Sequence, residues 1–334
     1  MSDMLNHYCC GRDALKAMPE DSAIKKIILE NYDAYRLGTQ GPDFFYYHHP
    51  MPWNPLRPLH RYGNKIHKTK IDAFFYFGFQ YALNAPKDKN IILSYLAGFS
   101  CHHSLDVASH PYIFYLTGHC DAKAPGSRVF SYYHKYFEVL LDVAYYQYEY
   151  QKLACFFPLD KLFTPRKKTV DALEAFYSFI MACVYNEPLQ RGCVADTLQD
   201  TAELARFFGD PRTRKKRVVR AIEKLIDEEK VVSRVFYPLF TDELTVLNLA
   251  NHPWKHPCTG EVHSESYPQL FKQAVAETTR KLTAIDSFMD LPKGPTPEII
   301  GDMYHNLCYD TGLPANAGLD MQYFDIIFDH YPQL

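Results

Sequence analysis

The stretch Leu96–Tyr115 constrains this chain most. It sets three strong metal-ligand types, His102, Asp106 and His110, four residues apart inside an apolar run. At about 3.6 residues per turn, each step of four advances roughly 40°, so the three share one helical face. Ile91, Ile92, Leu93, Tyr95, Leu96 and Phe99 precede them, and Leu105, Val107 and Ala108 lie between them, which marks the helix as largely buried. Buried carboxylates and imidazoles need partners. A rise of about 1.5 Å per residue separates His102 from His110 by about 12 Å along the axis, too far for one ion, so two metals suit the line better than one. Asp106, in the middle with two oxygens, can touch both, and paired zincs in hydrolytic sites lie about 3.5–4 Å apart. The competing reading is a histidine-rich core helix paired internally through His102 and Asp106. Pro111 follows His110 directly and predicts a helix end or kink there.

Helical spacing recurs through the rest of the chain, and few strand signals compete with it. Helices are expected from His7 to Met18, Asp21 to Leu37, Ile66 to Asn84, Lys89 to His110 and Arg128 to Leu153, then over Val170–Tyr185, Thr197–Phe208, Pro211–Asp227 and Tyr267–Met289. Four prolines, Pro50, Pro52, Pro55 and Pro58, make Asp43 to about Asn64 an irregular loop. The fold class is therefore all-α and multi-helical. A composition break near Pro158–Lys168 divides a ligand-bearing domain, residues 1–160, from a ligand-poor helical extension packed on it, residues 161–334.

With 47% hydrophobic and 22% charged residues the 334-residue chain is globular rather than disordered. Charged residues within Met1–Pro19 leave no secretory signal, which places the chain in the cytoplasm as an expectation. No uncharged apolar run reaches the 18 or so residues that span a bilayer. Nine cysteines without a Cys-x-x-Cys pair predict reduced thiols. A net charge of −3 exerts no global pull on nucleic acid or an anionic membrane, so any such contact must be local. One local candidate is the basic run Arg212, Arg214, Lys215, Lys216, Arg217 and Arg220, on a helix capped by Asp210 and begun by Pro211. It reads as a solvated face or a contact for anionic lipid or nucleic acid. A second cluster, His252, Trp254, His256, Cys258 and His263, offers soft and imidazole ligands but matches no standard metal spacing.

Beyond the central line, His134 and Glu138 again stand four apart on one face, able to grip one ion, and with His110 they make a three-ligand set with an open position. Asp43 follows a Gly41-Pro42 turn, and His67 begins a helix behind the proline-rich loop. His103 points about 100° away from the line and reads as structural.

The order His7, Asp43, His67, His102-x-x-x-Asp106, His110, His134-x-x-x-Glu138 resembles the zinc-dependent phospholipase C family, whose helical fold and three-zinc site are shared with the single-strand-specific zinc nucleases. The likeness covers roughly residues 5 to 150. It implies one zinc on Asp43, His67, His102 and Asp106, and a second on His110, His134 and Glu138. A third would use His7 and share Asp106. Secreted members complete that third site with an N-terminal Trp, whereas this chain begins Met1-Ser2-Asp3, so two zincs are expected and the third is left open. His110 follows Asp106 after three residues where the best-known members have five. Phe44 matches the aromatic that follows the metal-binding Asp in choline-lipid-cleaving members, while Asn64 replaces the aromatic expected before His67.

The implied activity is hydrolysis of a phosphodiester, in a phospholipid or a related substrate, by a metal-activated water, with Asp43 as the catalytic base. A zinc nuclease or other phosphoesterase on the same scaffold is one alternative, so nucleic acid stays open as substrate. A non-catalytic, metal-stabilised binding protein is the other. Transient contact with an anionic membrane is expected of a lipid-cleaving member, without any transmembrane segment.

Overall fold

The computed structural model describes residues 4–49, 59–121, 123–226, 232–289, 291, 293–332 and 334. Most of the proline-rich loop, residues 50–58, lies outside them. The described residues form fourteen α-helices and a two-stranded hairpin. In chain order the helices are α1 (Met4–Ala17), α2 (Ala23–Glu30), α3 (Tyr32–Gly38), α4 (His60–Lys68), α5 (Ile71–Asn84), α6 (Lys89–Thr117) and α7 (Arg128–Tyr150). There follow α8 (Lys167–Cys183), α9 (Cys193–Phe208), α10 (Arg214–Ile226), α11 (Glu243–Val246), α12 (Tyr267–Phe288), α13 (Pro297–Tyr304) and α14 (Ile327–His330). The hairpin pairs β1 (Trp254–Lys255) with β2 (Val262–His263) in antiparallel register, Trp254 opposite His263. The fold is all-α.

Helix α6 is the axis of the molecule. Every residue from Ile91 to Asp106 is buried, because the sequence is apolar all round rather than on one stripe. It packs against α1, α2, α3, α5, α7, α8 and α12. The crossing with α3 is unusually close: a Cβ on Gly38 would lie 2.1 Å from the Tyr95 carbonyl oxygen, and one on Gly98 would lie 2.1 Å from that of Tyr35. Only glycine on both helices permits that approach.

Four expectations are corrected. The helix expected from Ile66 to Asn84 is two, α4 and α5, parted at Thr69 and Lys70, where Lys70 takes a left-handed φ of 57°. The expected loop gives way to helix at His60 rather than after Asn64, and His67 lies near the end of α4 rather than at a helix start. Helix α6 does not stop or end at His110 but continues through Pro111 to Thr117. Proline removes one backbone hydrogen bond, to the Val107 carbonyl, and the buried packing of Pro111, Tyr112 and Ile113 outweighs that loss. The segment predicted as one helix from Asp21 to Leu37 breaks at Asn31, which leaves helical geometry at φ −122° and ψ 41° and turns its side-chain amide back to the Ile27 carbonyl at 3.0 Å. Helix α10 starts at Arg214 rather than Pro211, although Asp210 does cap it, accepting from the N–H groups of Arg214 (3.1 Å) and Lys216 (2.8 Å).

One hydrophobic cluster joins residues from both sides of the Pro158–Lys168 break, among them Leu140, Tyr177, Tyr267 and Ile285. Buried Asp142 on α7 accepts from the N–H groups of Leu5 (3.1 Å) and Asn6 (2.8 Å) at the start of α1, and from the Tyr237 hydroxyl. This contact fixes α1, which carries His7, against α7, which carries His134 and Glu138. All nine cysteines are free thiols. Among the described residues no helix is long and apolar enough to cross a membrane.

Candidate metal centre

Five elements bring all eight sequence-predicted ligands to one place. Helix α6 supplies His102, Asp106 and His110, α7 supplies His134 and Glu138, α4 supplies His67, α1 supplies His7, and a short 3-10 turn, Asp43–Tyr47, opens with Asp43. Asp106 sits at the centre. Its Oδ1 lies 3.1 Å from His7 Nε2 and 3.5 Å from His110 Nε2, and its Oδ2 lies 3.1 Å from His102 Nε2 and 3.8 Å from His67 Nε2. On one side Asp43 Oδ1 is 3.1 Å from His67 Nε2 and 3.8 Å from His102 Nε2. On the other, Glu138 Oε1 is 3.2 Å from His134 Nε2 and 3.7 Å from His110 Nε2. Three groups therefore have donor atoms close enough to hold an ion: Asp43 with His67 and His102, His110 with His134 and Glu138, and His7 with His102 and Asp106. The last adds His102 to the pair read from sequence.

The tautomers show that the residues fit a cation. His67 Nδ1 lies 2.8 Å from the Gly63 carbonyl, and His110 Nδ1 lies 3.1 Å from that of Tyr309. A carbonyl only accepts, so both Nδ1 atoms carry hydrogen and each Nε2 is left to face the carboxylates, through a proton or through a metal ion. Lone pair facing carboxylate at 3.1 Å is repulsive unless a proton or a metal ion stands between them. Carbonyl-held imidazoles of this kind are the usual outer support of metal ligands. Asp106 Oδ2 and Glu138 Oε2, both buried, also lack a hydrogen bond of good geometry among the described residues.

The charges agree. Burial alone raises a carboxyl, yet His102 and His67 outweigh it and hold Asp43 down to about 2. Asp106 and Glu138 are lowered for the same reason, burial being overcome by His102, His110 and His7 in one case and by His134 and His110 in the other. Among the imidazoles burial pushes His102 down to about 3, whereas at His110 it is overcome by Asp106 and Glu138, which carry that ring up to about 10.

A single glycine shapes the floor. Gly41 has φ +51°, and a Cβ there would lie 2.0 Å from His102 Cδ2. The Gly41-Pro42 turn therefore does more than aim Asp43, because it also leaves room for the ring shared by two of the three groups.

The centre opens into a cavity of about 180 Å³, lined in part by Tyr46, Tyr47, Lys135 and Asp310. None of these four was read as a site residue. Lys135 is held above the ordinary lysine range by Tyr47, against burial, with help from Glu138 and Asp43. Asp310 pairs with Lys68 at 3.0 Å. Its neighbour Tyr309 bridges the two main groups, donating its N–H to the His67 carbonyl at 3.1 Å while its own carbonyl faces His110 Nδ1. Tyr46 and Tyr47 carried the signal of an aromatic run that follows Asp43, and Lys135 that of its place beside His134, whereas Tyr309–Asp310 carried none. Phe44, the aromatic that follows Asp43, is fully buried against Phe45 and Tyr177; in the 3-10 turn it is Tyr46, three residues on from Asp43, that shares the side of Asp43, and Tyr47 also lines the cavity.

His103 is structural, as its helical angle predicts: Nδ1 accepts from Lys281 Nζ at 2.9 Å and Nε2 donates to the Leu307 carbonyl at 3.1 Å. His48, His49 and Asp200 form another grouping of ligand types. Its atoms are already engaged, Asp200 Oδ2 with the His49 N–H at 2.9 Å and His48 Nδ1 with the Thr197 hydroxyl at 3.1 Å. Comparison with family models, with characterised proteins and with solved structures returns no match, so the reading of this centre rests on its own residues.

Proposed function

We propose that the chain is a zinc-dependent hydrolase of phosphodiester bonds, of the phospholipase C type. The observation that carries this reading is the sharing of Asp106: its two oxygens face opposite groups of imidazole Nε2 atoms, as the common wall of a multinuclear site requires. Imidazole and carboxylate donors suit zinc. Bound zinc would polarise the phosphoryl oxygens, lower the pKa of a water toward about 7 and stabilise the departing alkoxide.

The chain's own residues supply the rest. Asp43, ionised at any working pH, lines the cavity and accepts a hydrogen bond from the attacking water, which orients it. Charged Lys135, which also lines the cavity, attracts the anionic diester and holds a phosphoryl oxygen. Tyr46 and Tyr47 narrow the mouth and offer hydroxyls to the head group. With Phe44 in the core, no aromatic cradle for choline is assigned, and the head group is left to experiment.

Purified protein should contain two or three equivalents of zinc and should hydrolyse a chromogenic phosphodiester and phosphatidylcholine, with both activities lost on chelation and regained with zinc. Single-stranded DNA in the same panel tests the nuclease alternative. Asp106→Asn should lose metal and at least about a thousandfold in activity, since it removes a ligand rather than a supporting group, whose loss costs about 10–100-fold. A folded, metal-loaded protein that cleaves none of the three substrates would leave a binding protein as the correct reading.

A further inference from the structure

Helix α10 carries Arg214, Lys215, Lys216, Arg217, Arg220 and Lys224 against a single acid, Glu223. That acid faces inward, where its Oε1 accepts from the N–H groups of Val232 (2.6 Å) and Ser233 (3.0 Å). Lys216 and Val219 also turn inward and are half-buried. The opposite face has a different character. Val218, Ile222 and Leu225 follow the spacing i, i+4, i+7, which keeps them within about 60° of one another. They are 60%, 48% and 87% exposed. Arg217 and Lys224 follow round one side of the helix from the stripe, with Arg220 beyond them on the far side, and all three are exposed too. Phe207 of α9, 43% exposed, extends the apolar surface beside Lys215.

Basic residues in a first helical turn oppose the helix dipole. Two of them are engaged within the chain, Lys215 by the carbonyls of Arg206, Phe207 and Gly209 at the end of α9, and Lys216 by the Phe236 carbonyl at 3.5 Å. The side made by Arg217 and Lys224 points away from both. An apolar stripe on a helix whose remaining exposed side is cationic is the pattern of one that lies in the plane of a membrane surface, with its apolar side among acyl chains and its cations reaching the phosphates. Nucleic acid would use the charges and leave the stripe in water. A second copy paired through this face would set Arg217 and Lys224 of one copy against those of the other. Asp227, Glu228 and Glu229, next in the sequence, lie outside the described residues.

We propose that α10 docks the protein on an anionic lipid bilayer, with Val218, Ile222 and Leu225 inserted and Arg217 and Lys224 at the headgroups. This stands apart from the hydrolase reading, because the test reads bound protein and not turnover. In flotation assays the full chain should bind vesicles of phosphatidylcholine mixed with phosphatidylserine, bind phosphatidylcholine alone far less, and detach at high salt. Replacing Arg217→Gln and Lys224→Gln together should weaken binding roughly 30-fold, at about fivefold per charge. Ile222→Ser with Leu225→Ser should weaken it at least about tenfold by removing inserted side chains. All four positions are exposed, so unchanged circular dichroism and melting are expected and serve as the folding control. Equal binding to both vesicle types, or a serine variant that binds as tightly as the parent, overturns the proposal. So does a chain that ignores vesicles and uses this face to dimerise or to hold single-stranded DNA.

Discussion

Two stretches of this chain are rich in histidine, and they end differently. The α6 line, His102-Asp106-His110, and the hairpin loop, His252 to His263, both present ligand types at close spacing. On α6 the Nε2 atoms of His102 and His110 converge with those of His7, His67 and His134 on three buried carboxylates. In the loop the donors do not converge, and those of His256 are spent on the chain itself. His256 Nδ1 accepts from the N–H groups of Cys258 (3.2 Å) and Thr259 (3.3 Å), and its Nε2 donates to the Thr311 carbonyl at 2.9 Å. His263 stacks on Trp254 with ring centroids 4.6 Å apart, and the indole N–H donates to the Glu265 carbonyl at 3.1 Å. Among the described residues the loop contributes no group able to hold an ion. What separates a metal site from a histidine-rich turn is where the lone pairs point after the backbone has taken its share.

The comparison is tested hardest at Gly41. A methyl group there collides with the His102 ring, and the left-handed backbone adds strain of about 1 kcal/mol for any L-residue. Gly41→Ala should therefore lower zinc affinity about 10–100-fold, the range found for losing a ligand's support. Competition titration with a chelating dye reads this directly. Unchanged affinity in a folded variant would mean that His102 is not held by the turn.

A smaller effect is expected from pH in metal-stripped protein. Asp43 has its carboxyl lowered from 3.8 to about 2, so its stabilisation is full above about pH 4 and is lost as pH falls through 2. That amounts to about 2 kcal/mol. His102, lowered from 6.5 to about 3, works in the same direction, because the unfolded chain takes up its proton first. His110, raised to about 10, contributes fully below 6.5 and is lost as pH rises through 10. Urea unfolding of stripped protein should show greatest stability near pH 6.5, with a fall on both sides. A flat profile between pH 3 and 10 would mean that the cluster is not the ionised network its geometry describes.

Much of this was legible before any coordinates. The i, i+4 pairs on α6 and α7 follow from helix geometry alone, because one element sets the spacing of both partners. Asp43, His67 and His7 each read weakly in isolation, and it was the order of ligands along the chain that joined them. What stayed hidden depends on distant chain segments meeting. Tyr309 and Asp310 reach the centre from beyond α13, a helix that no spacing argument identified, and they act partly through a backbone carbonyl that any residue could supply. Pro111 misled for a related reason: the local rule forbids comfortable helix before proline, and burial on all sides of α6 overrode it. Phe44 misled because a 3-10 turn rotates successive residues by about 120°, so the residue after a ligand need not share its cavity.

The least effect on the centre is expected from the loop that resembles it. His256→Ala removes a ring that satisfies the N–H groups of Cys258 and Thr259 and the carbonyl of Thr311, all within the packed turn beside the α6 end. Groups left buried without partners cost about 1–3 kcal/mol, so the variant should melt earlier. Its zinc content and diester hydrolysis should equal those of the parent, since no lone pair in the loop is directed at a shared point. Loss of a zinc equivalent from this variant would show that the backbone hydrogen bonds yield to metal, and the distinction between the two histidine-rich stretches would then be one of affinity rather than of geometry.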